Sequence, residues 1–530
     1  MIKQAVIWCL CLSIASGLAH AQLGQNLTIG SAKALSLGNA VTADPPGIDS
    51  IHFNPAGLTK ISGSKQHLKF VIGDASIQAE FIADEEYLDL IEEHGIQDPA
   101  ANTTSEIAGF AAYLPGLGLT EIPVIAAPLG GLSFQSRDER FTFASSVYAP
   151  LLLGYIREDD DPGIYYGREA AVTRLTYLSP SVAWKVNDEL SVGIAIPISY
   201  VGIGASLEFR AANPVLGAAE SLRTNLCDEL NQSDDEMCGD AVLSPFGTLI
   251  TLEGEVEKAF SPTFNIGILW EPTPWFSWGI VYQSEAADTL EGDAVFILSE
   301  NLVNFVGGIV KANPQVDAAF TGLLPGVNQE LFIDGGHVER DVKLDLTLPQ
   351  HIAMGISVKL LPDLKLNLDY KWTETSKLDK AQIIADEPVQ TLGLLSFIEG
   401  VEEDSITIPR DYQDASNWAV GLEYQYNDKL ALRFGYEPRK SGIPDDKRDF
   451  LVPLGDFELY GIGCQYQLDP SEVVELGFGY GKIDEYVAAG ESDNGNDLRL
   501  DNFLYNPSAG MDVHYTTELI LIELSYISEF

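Results

Sequence analysis

The sequence predicts an all-β protein, a transmembrane antiparallel β-barrel of about 14 strands. Three observations lead to this prediction. Apolar and polar residues alternate along many segments, the connections between these segments alternate between short and long, and the chain ends on an aromatic strand. Short turns at one end of a barrel and long loops at the other are typical of the bacterial outer membrane.

The alternation has a period of two residues, which is the period of a β-strand with one apolar face. Along Ile352–Leu360, Leu364–Trp372 and Trp418–Tyr426, large apolar side chains alternate with small or polar ones. Aromatic residues collect at the ends of such segments. In an outer-membrane barrel the apolar face contacts lipid and aromatic residues lie at the two interfaces. We therefore expect the apolar faces of these strands to point outwards.

The connections between the predicted strands fall into two classes. The short ones are 187–189, 271–274, 362–363, 427–429 and 469–472, and the long ones are about 155–170, 205–250, 285–340, 374–415, 437–455 and 482–512. The strands themselves are predicted near 65–80, 123–136, 140–154, 171–186, 189–209, 248–270, 275–295, 342–360, 364–378, 416–426, 429–437, 457–468, 472–484 and 514–530. The last strand ends at Phe530, and a terminal phenylalanine is common in outer-membrane barrels.

The chain begins with a segment typical of a secretory signal peptide. Lys3 precedes an apolar stretch from Ala5 to Leu18, and Ala19-His20-Ala21 follows as a small-x-small cleavage pattern. The apolar stretch is shorter than the roughly 20 residues that a membrane-spanning helix needs. We therefore expect removal of this segment on export. In an oxidising compartment, Cys227 and Cys238 either form a disulfide or remain free thiols.

The charge balance argues against a nucleic-acid partner. Acidic residues outnumber basic ones 78 to 31, and the net charge is −47, whereas a protein that binds a duplex needs a basic surface. Acidic runs such as Asp159-Asp160-Asp161 fall in the long connections, where we expect solvated surface. None matches an EF-hand calcium loop, so no metal site and no cofactor is predicted, and binding of divalent ions by these loops stays open.

A compact segment, SIHFNPAGLTK at Ser50–Lys60, precedes the first strand. Pro55 fixes φ and lacks an N–H, Ala56 and Gly57 allow close backbone approach, and Asn54 can bond the backbone locally. A barrel of 14 strands encloses a lumen too wide for its own side chains to fill. We therefore expect this segment to fold compactly inside the barrel.

Several stretches occur in a characteristic order. They are SAKALSLGNA at 31–40, DSIHFNPAGL at 49–58, LSPSVAW at 178–184 with NDELSVG at 187–193, LTLP at 346–349 and RFGY at 433–436. In this order they resemble the long-chain fatty acid outer-membrane transporter family (FadL-type), and the resemblance covers almost the whole mature chain. It implies three parts: a signal peptide at 1–21, an N-terminal hatch at 22–64 that plugs the lumen, and an outer-membrane β-barrel at 65–530.

The resemblance also implies a function. It implies passive uptake of long-chain fatty acids or other hydrophobic compounds across the outer membrane of a Gram-negative bacterium, without enzymatic activity. Ligands would be captured by extracellular loops, held in an internal pocket and released sideways past the hatch. The expected partners are such a hydrophobic small molecule, outer-membrane lipid and lipopolysaccharide, and the barrel is expected to be a monomer.

Candidate site residues lie in the hatch and in the wall. Asn54, Pro55, Ala56 and Gly57 form the hatch motif. Pro150 falls inside the predicted third strand, where a proline cannot donate to the ladder, and the resemblance implies a kink there that opens the wall sideways. Pro197 raises the same question in the fifth strand.

A carboxylate ligand would favour a basic group in the pocket. From their order along the chain, Arg210 and Lys343 are the candidates. A neutral hydrocarbon would require no such charge, and the identity of the ligand stays open between fatty acids, aromatic hydrocarbons and other lipids.

The apolar loop stretches Ala294–Val303, Phe305–Val310 and Ala318–Leu324 are predicted as amphipathic helices that form an outer landing groove or pack only on one another. Two other functions remain as alternatives. A general or substrate-specific porin would conduct ions through an open lumen. An outer-membrane lipid enzyme would need a nucleophile oriented by a histidine, and the sequence contains no recognisable motif of that kind.

Overall fold

The computed structural model describes residues 29–85, 87–88, 98–122, 125–210, 246–301, 303, 337–389, 400–451, 453–497 and 507–530. The predicted signal peptide, Cys227 and Cys238, and the loop stretches Phe305–Val310 and Ala318–Leu324 lie outside these residues. No helix in the described ranges is long and apolar enough to cross a membrane.

Short helices are concentrated before the first strand. They are α1 (Ala32–Ser36), α2 (Ser50–Phe53) and the 3-10 helices Gly47–Asp49 and Pro55–Lys60, with further 3-10 helices at Pro162–Tyr166, Thr375–Lys377 and Asp445–Lys447. The N-terminal segment, residues 29–63, is thus compact and contains no strand, as expected for the stretch around Asn54.

The strands are β1 (Ser64–Ile82), β2 (Thr103–Glu106), β3 (Phe110–Leu114), β4 (Gly118–Ile122), β5 (Ile125–Gln135), β6 (Phe141–Ile156), β7 (Glu169–Leu178), β8 (Ser181–Lys185), β9 (Leu190–Ala195), β10 (Ile198–Phe209), β11 (Ile250–Pro262), β12 (Asn265–Thr273), β13 (Phe276–Gln283), β14 (Ala286–Leu298), β15 (His337–Leu348), β16 (His351–Leu361), β17 (Leu364–Thr373), β18 (Lys380–Ala385), β19 (Ser405–Pro409), β20 (Ala415–Gln425), β21 (Leu430–Arg439), β22 (Phe457–Asp469), β23 (Glu472–Val487) and β24 (Asp512–Glu529).

These segments form a closed antiparallel barrel of 14 wall strands within the described residues. Seven wall strands consist of one main segment (β1, β5, β6 and β21 to β24). The other seven each consist of two successive segments, which are β7 with β8, β9 with β10, β11 with β12, β13 with β14, β15 with β16, β17 with β18 and β19 with β20. The last strand, β24, pairs with β1 from Lys65↔Glu529 to Ile82↔Asp512 and closes the barrel. The predicted barrel, its number of strands and its short turns are confirmed.

The half of the wall next to the short turns, here called the lower half, presents its apolar face outwards. On β1, the outward side chains of Leu68, Phe70 and Ile72 are exposed, whereas the intervening Lys69 is buried. Trp418 is likewise exposed next to a fully buried alanine. The predicted orientation of these strands is therefore confirmed, and this half is the lipid-facing band.

The half next to the long loops, here called the upper half, shows the opposite pattern. Leu252, Leu290, Phe296 and Val342 are buried in one hydrophobic cluster inside the barrel, while Glu291 and other acidic side chains between them are exposed. The predicted helix at Ala294–Val303 is wrong for its first part. Residues 294–298 complete β14, because their apolar side chains alternate into this cluster.

Wall strands four to eight are interrupted where the two halves meet. Residues 179–180, 196–197, 263–264, 284–285 and 349–350 separate the segments, and three of these breaks contain a proline, namely Pro180, Pro197 and Pro349. A break can shift the alternation of faces. Gln283 and Ala286 line the same cavity across one break, although an odd spacing puts residues of a continuous strand on opposite faces.

A separate hairpin of β3 and β4 covers the upper half from outside. A Cβ on Gly202 would lie 2.1 Å from the Tyr113 ring. Gly202 is next to Val201, whose side chain belongs to the interior cluster, so Tyr113 packs on the opposite, outer face. The Tyr113 amide donates to Thr173 Oγ1 at 3.1 Å. The hairpin therefore lies across the outer surface of β7 and β10.

The N-terminal segment fills the lumen of the lower half. Wall glycines face it at distances that leave no room for a side chain: a Cβ on Gly435 would lie 2.0 Å from the Gly38 nitrogen, and one on Gly193 would lie 2.3 Å from the Pro55 carbonyl carbon. Glycine permits this close approach of two backbones. The segment is thus fitted against opposite sides of the wall.

Candidate functional site

The third wall strand, β6, contains a β-bulge at Pro150. β6 pairs with β7 at Tyr148↔Thr176 and again at Leu151↔Arg174, so two residues of β6 stand opposite one residue of β7. An extra residue bends a strand and interrupts its ladder. Proline is suited to such a position because it has no N–H to leave unpaired.

An opening in the wall lies on the other side of this bulge. β5 pairs with β6 from Gln135↔Thr142 to Gly130↔Val147. β5 then continues to Ile125, paired only with β1. Within the described residues no ladder joins Ile125–Leu129 to β6, and the next pairing above is the bridge Gly109↔Ile156. The wall is therefore unzipped beside the bulge.

A cavity lies behind this bulge, at the level of the strand breaks. It measures about 580 Å³, counted with the solvent at its mouth. Its lining comes from six neighbouring wall strands and α2: His52, Tyr148, Pro150, Leu151, Arg174, Thr176, Pro197, Thr263, Asn265, Gln283, Ser284, Ala286, Leu348 and Pro349. The bulge and four of the breaks contribute to this lining, through Pro150, Pro197, Thr263, Ser284 and Pro349.

The lining contains one cation, Arg174. Its side chain is largely buried, and its one hydrogen bond among the described residues is a long donation to the Ser261 carbonyl at 3.5 Å. The acidic neighbour Asp288 is engaged by Ser261 Oγ and by Lys258 at 3.5 Å. A guanidinium carries five N–H donors, so Arg174 has donors to offer to an anionic group in the cavity.

The N-terminal segment forms the floor of the cavity. The ring of His52 lies edge-on to Tyr148 at 5.3 Å. Asn265 Nδ2 donates to the Ile51 carbonyl at 3.0 Å, and Gln283 Nε2 donates to the His52 carbonyl at 2.6 Å. Burial, with smaller contributions from nearby positive groups, lowers the pKa of His52 to about 3. The floor is therefore uncharged at neutral pH and held by two amide side chains of the wall.

The Asn-Pro-Ala-Gly motif lies deeper than the cavity and does not line it. Asn54 Nδ2 donates to the carbonyls of Thr42 at 2.8 Å and Ile268 at 3.1 Å, and its Oδ1 accepts from the Ala56 amide at 3.2 Å. Gly57 packs against Pro45, where a Cβ would approach to 2.5 Å. The motif thus joins the N-terminal segment to itself and to β12.

Arg210, a predicted carboxylate ligand, lies elsewhere. It is 1% exposed, and two guanidinium nitrogens contact Asp98 at 2.7 and 3.1 Å while Nε donates to the Pro507 carbonyl. The guanidinium also lies 4.7 Å from the centre of the Tyr165 ring. Each guanidinium nitrogen has a partner, so Arg210 ties together segments at the long-loop end.

Lys343, the other predicted basic ligand, points away from the lumen. Its side chain is 59% exposed and lies 3.3 Å from Glu291 on the outer face. The structure therefore brings together Pro150, Pro197 and Arg174, and separates them from Arg210, Lys343 and the hatch motif. Arg174 was missed by sequence reasoning, although it is the one charged residue between Glu169 and Lys185.

The likeness to known proteins agrees with this architecture. The model of the family described as "Outer membrane protein transport protein (OMPP1/FadL/TodX)" matches residues 10–530. The long-chain fatty acid transport protein of Escherichia coli O6:H1 is 22% identical over 321 residues, which is 60% of this chain and 60% of that protein. The matched region thus spans less than two thirds of this relative.

Solved structures share the fold. A Pseudomonas aeruginosa FadL homologue aligns with a TM-score of 0.65 at 17% identity, over 97% of this chain and 100% of that chain. The Ralstonia pickettii toluene transporter TbuX aligns with a TM-score of 0.57 at 13% identity, over 95% and 99% of the two chains.

Fold and family together define an outer-membrane transport barrel of a Gram-negative bacterium. The chain belongs to the outer membrane protein transport protein family (OMPP1/FadL/TodX).

Proposed function

We propose that this chain is a channel for passive uptake of long-chain fatty acids or other hydrophobic compounds across the outer membrane. Ligands are captured by the extracellular loops, enter the cavity beside Pro150 and leave sideways through the opening between β5 and β6. Residues 22–64 act as the hatch that closes the lumen below. The observation that carries the proposal is that cavity, bulge and wall opening lie side by side.

The position of the opening supports release into the membrane. Its β5 edge runs alongside the lipid-facing part of β1, since Phe70 pairs with Pro128 and Ile72 with Ala126. Phe70 and Ile72 are both exposed on the outer face. A ligand that passes between β5 and β6 therefore meets hydrocarbon rather than water, and release of an apolar tail there needs no energy source.

A route from the loops to the cavity is supported by the interior of the upper half. A second recess of about 410 Å³, counted with open solvent, is lined by Tyr165, Tyr166, Leu207, Phe209, Ile408, Arg410, Asp449, Leu451 and Asn494. Its aromatic and aliphatic side chains suit an apolar ligand. Arg410 is paired with Asp449 there, so this recess supplies apolar contact rather than an available cation.

Arg174 favours an amphipathic ligand with a carboxylate over a neutral hydrocarbon. Hydrogen bonds between a guanidinium and a carboxylate are about twice as strong as those between neutral groups. Its acidic neighbour Asp288 is already bonded to Ser261 and paired with Lys258, so an anionic headgroup would meet a buried guanidinium that still has donors to offer. The names of the relatives include both a fatty acid transporter and a toluene transporter, so the charge in the cavity is the feature that separates the two ligand classes.

The alternative is a general or substrate-specific porin, which needs an open aqueous lumen. The close contacts between wall glycines and residues 29–63 support a filled lumen instead. Conductance in planar bilayers distinguishes the two. Large steady ion currents through the wild-type protein, with no lipid bound after purification in mild detergent, would refute hydrophobic uptake.

The test of the ligand class is Arg174→Gln. We expect uptake of a long-chain fatty acid into proteoliposomes to fall about tenfold or more, because a hydrogen bond to a charged group contributes roughly 1.5–3 kcal/mol. Uptake of toluene should stay unchanged. Arg168→Gln is the matched control, because Arg168 pairs with the exposed Asp159 outside the cavity. Equal losses for both ligands would contradict a carboxylate-binding role.

A further inference from the structure

The hairpin of β3 and β4 reaches across the outside of the wall from β6 to β11. A Cβ on Gly154 of β6 would lie 2.2 Å from the Ala111 carbonyl oxygen. One on Gly204 of β10 would lie 3.0 Å from Leu119 Cβ. The Leu119 amide donates to Glu255 Oε1 of β11 at 3.3 Å. Since β7 lies between β6 and β10 in the wall, one hairpin ties four neighbouring segments together.

Tyr113 lies at the centre of this contact. Its ring fits against Gly202, where a Cβ would lie 2.1 Å away, and it stacks on the Tyr200 ring with centroids 6.4 Å apart. Its amide donates to Thr173 Oγ1 of β7 at 3.1 Å. Tyr113 is only 5% exposed although it lies outside the barrel, so hairpin and wall are closely packed here.

The hairpin contacts the wall directly behind the cation of the cavity. Arg174 of β7 pairs with Leu151 of β6 and with Val201 of β10. In the next row towards the long loops, Thr173 pairs with Gly202. These two residues are the ones that Tyr113 contacts. Successive residues of a strand point to opposite faces, so Tyr113 supports from outside the part of β7 that carries Arg174 on its inside.

On its other side, the row of Arg174 borders an irregular part of the wall. Three successive ladders shift register there, between positions 148 and 151 of β6, at 198–199 of β10 towards β7, and at 199–201 of β10 towards β11. Such shifts interrupt a ladder and bend its strands. From the row of Arg174 towards the long loops, all three ladders are regular. Arg174 therefore lies between an irregular level and the level that the hairpin supports.

We propose that Tyr113 is a positioning residue for Arg174. Its ring and its amide hold the hairpin on the neighbouring row, and this support fixes the backbone of β7 from which the guanidinium enters the cavity. The inference rests on the proposed function, in which Arg174 binds the carboxylate of the ligand. Hydrogen bonds between a guanidinium and a carboxylate depend on a fixed relative geometry. A loosened hairpin therefore weakens binding of a fatty acid and leaves binding of a neutral hydrocarbon unchanged.

The experiment measures uptake of palmitate and of toluene into proteoliposomes, with amide hydrogen exchange of β7 on the same preparations. For Tyr113→Ala we expect palmitate uptake at subsaturating concentration to fall about fivefold, which corresponds to one hydrogen bond of ordinary strength. Toluene uptake should stay unchanged, and the amides at 172–176 should exchange faster. Gly202→Ala should act in the same way, because its Cβ would displace the Tyr113 ring, and it carries the test if Tyr113→Ala does not fold.

Two control variants accompany these substitutions. Tyr113→Phe keeps the ring and the backbone amide, so it should take up palmitate at close to the wild-type rate. Tyr486→Ala removes a tyrosine that is 53% exposed on the upper half and should match the wild type.

A double variant shows whether Tyr113 acts through Arg174. Tyr113→Ala combined with Arg174→Gln should take up palmitate no more slowly than Arg174→Gln alone, because the group to be positioned is then missing. Independent sites would instead give losses that multiply, and multiplied losses would refute the inference.

The other outcomes separate this inference from the proposed function. If the wild type takes up no palmitate, the proposed function fails, and the inference fails with it. If the wild type takes up palmitate and Tyr113→Ala does so equally fast with unchanged exchange in β7, the proposed function stands and the role of Tyr113 is refuted. Equal losses of palmitate and toluene uptake would also refute it, because the hairpin would then only stabilise the barrel.

Discussion

The lower and upper halves of the wall bury opposite faces. In the lower half, Phe434 is 51% exposed on the outside while the neighbouring Arg433 is buried inside. In the upper half, Leu290 is fully buried inside while Glu291 is exposed outside. Lipid surrounds the first half and water surrounds the second, so in each half the outward side chains match the surrounding medium.

This difference determines how each half holds its interior. The upper half has an ordinary hydrophobic core, whereas the lower half is filled by the N-terminal segment, which is held by glycine contacts and by buried ion pairs such as Lys69 with Asp49. A continuous strand can carry both patterns: along β23, Leu476 is 44% exposed on the outside and Ile483 is buried inside. Wall strands four to eight instead break at the junction, and the cavity lies beside these breaks.

The largest expected effect tests the ion pairs of the lower half. Arg433 donates to Glu423 at 2.7 Å, to Glu475 at 2.8 Å and to Gln465 at 2.6 Å. Arg433→Met should lower the free energy of unfolding by about 3–5 kcal/mol, because it leaves the buried Glu475 without its counter-charge. Urea unfolding in detergent micelles, followed by tryptophan fluorescence, measures this loss.

The control for that variant lies in the upper half. Arg168 pairs with Asp159 at 2.9 Å, and the Asp159 side chain is 88% exposed. Arg168→Met should cost under about 1 kcal/mol, as exposed ion pairs generally do. Equal losses in the two variants would mean that buried charges do not hold the lower half together.

A smaller effect is expected from two leucine-to-alanine substitutions, one in the core of the upper half and one on the outer face of the lower half. Leu290→Ala removes a fully buried side chain from the interior cluster and should cost about 3 kcal/mol. Leu432→Ala removes an outward side chain that is 43% exposed, and it should cost roughly 1 kcal/mol in the same urea unfolding experiment. A larger loss at Leu432 than at Leu290 would contradict the inverted pattern.

Much of the fold could be predicted because alternation is a local signal. Segments such as Ile352–Leu360 show period two without any knowledge of their neighbours, and the short turns between them are equally local. The change of face was not predictable in this way. Leu348 and His351 both face the interior although they are three positions apart, because the break at 349–350 shifts the alternation.

The candidate site was only partly predictable for the same reason. Pro150 could be found because a proline inside a strand is itself a signal. Arg174 could not be placed, since the break at 179–180 decides which face of β7 points inwards. Arg210 was a reasonable candidate from its order along the chain, but its partner Asp98 is 112 residues away in sequence, and such a contact leaves no local trace.

The smallest expected effect concerns Lys343 and tests the orientation of the upper half directly. If apolar side chains point inwards there, Lys343 lies on the outer face with Glu291, at a side-chain exposure of 59% and 70%. Lys343→Gln should then change the free energy of unfolding by under about 1 kcal/mol and leave fatty acid uptake at the wild-type rate. Measured beside Arg174→Gln in the same proteoliposomes, it separates a cation in the cavity from a cation on the surface. A loss of uptake comparable to that of Arg174→Gln would place Lys343 on the ligand's route and overturn the inverted pattern of the upper half.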